Sequence, residues 1–442
     1  AAPEQGYTFG AAAPFSQRCR QVSYKRATYI ASLKIISLFL QKQLPLILFC
    51  LHMNVSLLQT IKELSLQNFN DVITNRRWLH QHPELSFEET KTSTYVADKL
   101  TQLGIPFKHG YAGTGIVATL TGLKPEGRVI ALRADMDALP IQENSGLPYA
   151  SVNPGVMHAC GHDAHTASLL GTAGILQQLK PHWDGTILLI FQPGEEKFPG
   201  GASLMLKEGA LDNPKPEFVL GQHVLPEMPS GQVGFRQGMY MASGDEVHIT
   251  ISGKGGHAAM PHTLNDTVLA ACHVVVALQQ IVSRIVPATI PTVLSFGMIE
   301  GKGATNIIPE KVKLAGTLRT MDESWRAILK DKIRHVARST AEAMGCDCDI
   351  DIKDGYPMVY NNPDLTEQAE SLAKQYLGEE NVETMDLRMT AEDFGYYCEA
   401  FPSTFYRFGV KQNKGVNTGE LHTPAFSLNE QSLKTAPGLM AW

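Results

Sequence analysis

Three short runs of uninterrupted apolar residues, Val129–Leu132, Ile187–Phe191 and Phe218–Leu220, limit what this chain can fold into more than any other feature. Strands buried on both faces read as continuous apolar runs, because helices cover them on either side and no position faces water. Between the first two runs, Leu169, Leu170, Ala173, Leu176 and Leu179 recur at helical spacing over Thr166–Leu179. That alternation predicts an α/β fold, an open mixed sheet with helices on both faces. Helices over Phe69–His80 and Glu88–Leu103 precede it, the second ending at Gly104, a residue suited to a helix C-terminus.

A different pattern starts near Ser243. Glu246–Ile251 alternates as a strand, Leu264–Val286 is a long apolar helix, and Thr292–Ile299 and Lys311–Leu318 are strands. Glu323–Met344 then reads as an amphipathic helix and Asp347–Ile352 as a closing strand. The order β-α-β-β-α-β is that of a ferredoxin-like sandwich. Helix and strand return at Glu367–Leu377 and Thr404–Phe408. The organisation predicted is a larger domain over 53–242 and 355–442 with a smaller one, 243–354, inserted in it.

Residues 1–52 differ from the rest. No acidic residue occurs between Glu4 and Glu63, while Arg18, Arg20, Lys25, Arg26, Lys34 and Lys42 accumulate. The apolar runs Ile35–Leu40 and Leu44–Leu51 are broken by Lys42, and each is shorter than the roughly 20 residues that span a bilayer. This basic and apolar leader reads as non-native or signal-like, ahead of a globular sequence opening at Met53; membrane association is not expected, with export or membrane anchoring through the leader as the alternative. A formal net charge of −6 offers no attraction to nucleic acid. Seven scattered cysteines do not form a disulfide framework, so a reducing, cytoplasmic setting is expected.

Each apolar run leads into residues that bind metals: Asp135 and Asp137 after the first, Glu195 and Glu196 after the second, His223 after the third. Ligands of open α/β sheets sit beyond the carboxyl ends of the strands, so these side chains can converge. Cys160 and His162, just before the Thr166 helix, add a thiolate and an imidazole, both suited to zinc and related ions. The bland alternative there is a small buried cysteine with incidental histidines, Asp163 capping the helix and His165 filling its first turn. Glu195-Glu196 is the stronger clue, because adjacent carboxylates after a buried strand repel each other unless a cation intervenes. One can bind metal while the other takes a proton from water, the division of labour of metal-assisted hydrolysis. A Glu-Glu pair on a surface loop is commonplace; its place directly after an apolar strand favours chemistry.

The motifs resemble, in order, those of the M20 metallopeptidase family. They are Arg77–Ser86, Arg133–Pro140, His158–Asp163, Gln192–Glu196, Ser252–Ala259, Ala304–Pro309, Ala391–Phe394 and Leu421–Pro424, spread from Leu66 to Asn429. The likeness is to the amidohydrolase subgroup of hippurate hydrolases, N-acyl-amino-acid amidohydrolases and plant auxin-conjugate hydrolases. It implies two divalent metal ions, zinc or manganese with cobalt as a third option, held by Cys160, His162, Glu196, His223 and His422. It further implies Glu195 as general base and then proton donor to the leaving amine, with Asp137 orienting a metal ligand. The inserted domain would be a lid and the seat of a homodimer, with His257 stabilising the oxyanion, if need be in the partner subunit's site. Asn306 and Arg319 match positions that approach substrate, although Arg319 serves equally well as a surface strand residue. The expected reaction is hydrolysis of the amide bond of small-molecule N-acyl amino acids. The alternative is a dipeptidase, aminopeptidase or carboxypeptidase of the same family. A non-catalytic binding protein on this fold would need the ligands but not Glu195.

Overall fold

The computed structural model describes residues 56–412 and 419–442, so the leader lies outside the described residues. Six strands precede the second pattern: β1 Phe107–Tyr111, β2 Gly115–Thr121, β3 Val129–Asp135, β4 Thr186–Gln192, β5 Phe218–Pro229 and β6 Val233–Phe235. A short β7, Gly238–Met241, leads into β8 Ser243–Ser252, β9 Gly256–His257, β10 Thr292–Gly301, β11 Ile307–Ile308, β12 Lys311–Thr320 and β13 Asp347–Lys353. The chain then makes β14 Val359–Asn361, β15 Val382–Thr384 and β16 Ser403–Lys411.

The large mixed sheet has eight strands in the order β1-β2-β4-β3-β5-β16-β6-β15. Its centre, β4-β3-β5-β16, is parallel, and β2 joins β4 antiparallel. All three apolar runs lie in this centre, and every residue of β4 is buried. Beside it runs the helix α1, His162–Gln178, buried at every position from His162 to Leu176. A helix enclosed on all sides has no polar stripe, which is why, past the polar residues of its first turn, its sequence is apolar or small from Thr166 to Leu176.

Two of the boundaries that differ from those expected bear on the site. The helix begins at His162, four residues before Thr166, because Gly161 adopts a left-handed conformation (φ +84°) and its carbonyl accepts the first helical N–H groups, from Ala164 and His165. The strand β5 runs to Pro229 rather than stopping at Leu220, because its parallel register with β16 continues from Val219↔Ser403 to Leu225↔Gly409 and, past an irregularity, Pro229↔Lys411. His223 therefore lies inside a strand, not beyond its end. It still reaches the carboxyl edge of the sheet, since β3 pairs Arg133 with Gly221 and ends two residues later at Asp135.

The second sheet has four antiparallel strands in the order β10-β12-β8-β13. Two helices, α2 Thr267–Gln280 and α3 Glu323–Ala343, pack on it through a core that includes Val247, Ile249, Val274, Leu278, Leu314 and Leu329. Both start at an aspartate N-cap, Asp266 accepting from Leu269 N and Asp322 from Trp325 N. The stretch Thr267–Ile285 is long and apolar enough to cross a membrane by length and composition, but its inner face is part of this core. Its outer face leaves Val276 71% exposed. Cys160, Cys272, Cys346, Cys348 and Cys398 are free thiols.

Candidate metal centre

The residues around Cys160 and His162 are shaped by the glycine between them. A Cβ on Gly161 would come within 2.6 Å of Val224 Cγ2, so only glycine allows the tight turn that directs both neighbours inward. Glu195 and Glu196 follow the buried β4. His422 arrives from the far end of the chain, anchored by its N–H to Ala159 O at 2.9 Å. Its φ of +61° is the left-handed region, an uncommon conformation for a side-chain-bearing residue that costs about 1–3 kcal/mol and recurs at functional sites.

These residues converge. Cys160 Sγ lies 3.4 Å from His223 Nε2 and 3.3 Å from His422 Nε2. His422 Nε2 is 3.2 Å from Glu196 Oε1, and His162 Nε2 is 4.0 Å from both Glu195 Oε2 and Glu196 Oε1. The groups Cys160–His162–His223, Cys160–Glu196–His422 and His162–Glu195–Glu196 each offer ligand atoms within 4.8 Å of one another. His162 Nε2 and Glu196 Oε1 are buried without a properly aligned hydrogen bond. Leaving such atoms unsatisfied costs about 1–3 kcal/mol each, and a cation between them removes that penalty. Thiolate, imidazole and carboxylate together suit zinc and its neighbours in the first transition row.

Asp137 orients this cluster. Its carbonyl, which can only accept, lies 2.9 Å from His162 Nδ1, so Nδ1 carries the proton and Nε2 keeps its lone pair for the site. Asp137 Oδ2 also receives Ser86 Oγ at 2.7 Å and Glu196 N at 2.9 Å. His223 is set the same way, Nδ1 donating to Val224 O at 2.8 Å. His165 has no nitrogen to spare: Nδ1 meets Asp135 Oδ1 at 2.6 Å and Nε2 accepts from Val224 N at 2.9 Å. Burial, with Glu392 and Glu196 close by, holds the Glu195 carboxyl well above the ordinary carboxylate range. That direction favours the protonated carboxyl.

Two contributors carried no assigned role in the sequence. Arg133, fully buried on β3, donates to Asp135 Oδ2 at 2.6 Å, Glu392 Oε1 at 3.0 Å, Asp393 Oδ1 at 2.8 Å and Gln192 Oε1 at 2.9 Å. Burial pushes Asp393 up to about 8 even though Arg133 opposes it. An arginine inside an otherwise apolar strand was the available signal. Tyr356, on the return from the second sheet, donates its hydroxyl to Glu195 O at 2.5 Å. Arg326 binds Asp245 at 2.9 and 2.7 Å and Gly355 O at 2.9 Å, fixing the backbone just before that tyrosine. Tyr356→Phe is expected to lower kcat about two- to tenfold, the worth of one hydrogen bond, at unchanged metal content. Steady-state kinetics beside metal analysis checks this, and an unaltered kcat would show that the hydroxyl does not position Glu195.

The remaining predicted residues sit elsewhere. His257 and Asn306 are exposed on the paired β9 and β11 segment, where Ala258 N donates to Asn306 O at 3.0 Å. Arg319 on β12 faces Gly244, and its Nη1 occupies the space where a Cβ there would stand. None of the three lines the pocket of about 430 Å³ shared by Cys160, Glu195, Glu196, His223 and His422.

Residues 131–441 match the family described as Peptidase family M20/M25/M40. The chain belongs to this family. It is 44% identical over 303 residues to the N-acyl-L-amino acid amidohydrolase of Geobacillus stearothermophilus, covering 69% of this chain and 81% of that one. It is 38% identical over 360 residues to the N-acetyl-L-cysteine deacetylase of Bacillus subtilis, covering 81% and 83%. Among solved structures, a Bacillus subtilis protein described as a dinuclear metal binding peptidase from the M20 family superposes with a TM-score of 0.72 at 34% identity, covering 84% of this M20 chain and 96% of that chain. By family and by these relatives, the chain is an M20 amidohydrolase.

Proposed function

We propose that this M20 chain hydrolyses the amide bond of N-acyl amino acids with two divalent ions and Glu195 as the proton carrier. The observation that carries the reading is the Glu195-Glu196 pair. Glu196 Oε1 faces His162 and His422 as a ligand, while Glu195 sits in the same pocket beside the ligands. Cys160, His162, Glu196, His223 and His422 would hold the ions, zinc or manganese, with Asp137 fixing His162. When bound, the ions acidify water and polarise the substrate carbonyl. Glu195 takes the proton of the attacking water and returns it to the departing amine, whose C–N bond breaks as the amino acid leaves.

The order of elements from β8 to β13, with the sheet order β10-β12-β8-β13, supports a ferredoxin-like insertion over 243–354 acting as lid and dimerisation domain. Val268, Leu269 and Val276 on α2 and Met298 and Ile299 on the edge strand β10 are exposed, an apolar surface that fits a second copy of the chain. His257 would then serve the partner subunit's site, and Asn306 and Arg319 would approach the substrate α-carboxylate. The larger domain is 53–242 with 355–442.

A panel of N-acetyl and N-benzoyl amino acids together with dipeptides, assayed before and after chelation, tests the reading. Release of amino acid from the acylated compounds should vanish with chelator and return with Mn²⁺ or Zn²⁺. Cleavage of dipeptides alone would favour the peptidase alternative, in line with the description of the Bacillus subtilis structure. No cleavage of either class by folded, reduced, metal-loaded protein would remove the hydrolase assignment.

A further inference from the structure

The pocket holding Glu195 does not end at the ligands. It continues to Met241, Arg388 and Arg407. Arg407 is only 3% exposed and sits on β16 directly beside His223 of β5. Its guanidinium donates to Tyr240 Oη at 3.1 Å and contacts Met241 Sδ at 3.1 Å, both neutral groups. Other buried arginines behave differently: Arg76, Arg133 and Arg326 pair with carboxylates at 2.7, 2.6 and 2.7 Å. Among the described residues, no carboxylate stands within ion-pair distance of Arg407 or of the half-buried Arg388. Glu392, the buried acid of this pocket beyond Glu195, is ion-paired with Arg133 and feels the charge of Arg407 only from beyond ion-pair distance. Glu227 and Glu420 also line the pocket but are exposed to solvent. Burial, followed by the neighbouring charge of Arg407, depresses the pKa of Arg388, with Tyr240 and the exposed Glu227 opposing more weakly, so the two cations sense the same space.

A buried cation without a counter-ion carries a desolvation penalty that a ligand carboxylate can relieve, and the planar fork of arginine matches a carboxylate. We propose that Arg388 and Arg407 form a receptor for a carboxylate borne by the acyl group, so that the preferred substrates carry an acid on each side of the scissile amide. This rests on the proposed function, in which the α-carboxylate is taken by Arg319. Arg319 does not line this pocket, whereas Arg388 and Arg407 do, so they meet the other end of the substrate. The products are then a dicarboxylic acid and a free amino acid, with one water consumed.

The test compares N-succinyl and N-butanoyl derivatives of one amino acid, which share a four-carbon acyl chain and differ in a terminal carboxylate against a methyl group. For the metal-loaded enzyme, kcat/KM should favour the succinyl compound by about tenfold or more, the worth of a charge-assisted hydrogen bond. In Arg388→Gln the succinyl-to-butanoyl ratio should fall towards one, and Arg388→Lys should restore part of it. The ratio cancels any loss common to both substrates, so a merely structural defect does not imitate the result. Cleavage of the butanoyl compound without a succinyl preference, or a preference that survives in Arg388→Gln, overturns the receptor and leaves the hydrolase reading standing. Cleavage of neither compound, nor of any in the acylated panel, overturns both.

Discussion

Glu195→Gln should retain its metal and lose about 10²- to 10⁴-fold in turnover, more where the same carboxylate also protonates the leaving group. The substitution keeps size and burial and removes the charge and the ability to accept a proton. The ligand set proposed for the ions, Cys160, His162, Glu196, His223 and His422, is untouched. Tyr356 donates to the backbone oxygen of residue 195, so that contact survives as well. Turnover of an N-acyl amino acid, measured beside metal stoichiometry, separates the outcomes. Near-parental activity would remove Glu195 from the role of base. Loss of metal together with activity would make Glu195 a ligand instead.

Arg133→Met should cost about 3–5 kcal/mol of stability, a large share of the 5–15 kcal/mol typical of a folded domain. The reason is what stays behind: Asp135, Glu392 and Asp393 are each at most 2% exposed, and Arg133 is the cation they share. The loss should depend on pH in a defined direction. Without the guanidinium, burial raises Glu392 and Asp393 further, as it already lifts Asp393 to about 8, and Asp135 loses the first of the cations that hold its carboxyl low. Groups raised in the folded state favour folding when protonated, so the variant should be relatively better at pH 5 and worse as pH climbs towards 8. Chemical denaturation of parent and variant at both pH values measures this. Equal stability at pH 8 would show that the network contributes nothing net to the fold.

Much of the site was legible because its chemistry is local. Glu195 and Glu196 follow an apolar strand within four residues of its end, and Cys160 and His162 bracket a glycine that only a tight turn explains. The edge of the sheet was harder to see. Three central residues of β1 are exposed, so no apolar run marks that strand. His257 and Asn306 were singled out by motif, and the chain places them on an exposed hairpin-like pair outside the lining of the pocket shared by Cys160, Glu195, Glu196, His223 and His422. Residue type told what they could do; it did not tell where they would stand.

The sequence by itself determined the central strands, the helix between them and the kinds of metal-competent side chain at their carboxyl edge. Those properties follow from apolar continuity, side-chain periodicity and donor chemistry, all read within a few neighbouring residues. The tertiary structure alone decided the length of β5, which depends on hydrogen bonds to β16 nearly two hundred residues later. It also decided two partners of Arg133, Glu392 and Asp393, which lie 259 and 260 residues away, and the approach of His422 to Cys160 across 262 residues. A strand ends where its partner's backbone stops pairing, and a buried charge is tolerated only where an opposite one is brought to it. Both conditions are met by residues distant in the chain, so no local pattern can announce them.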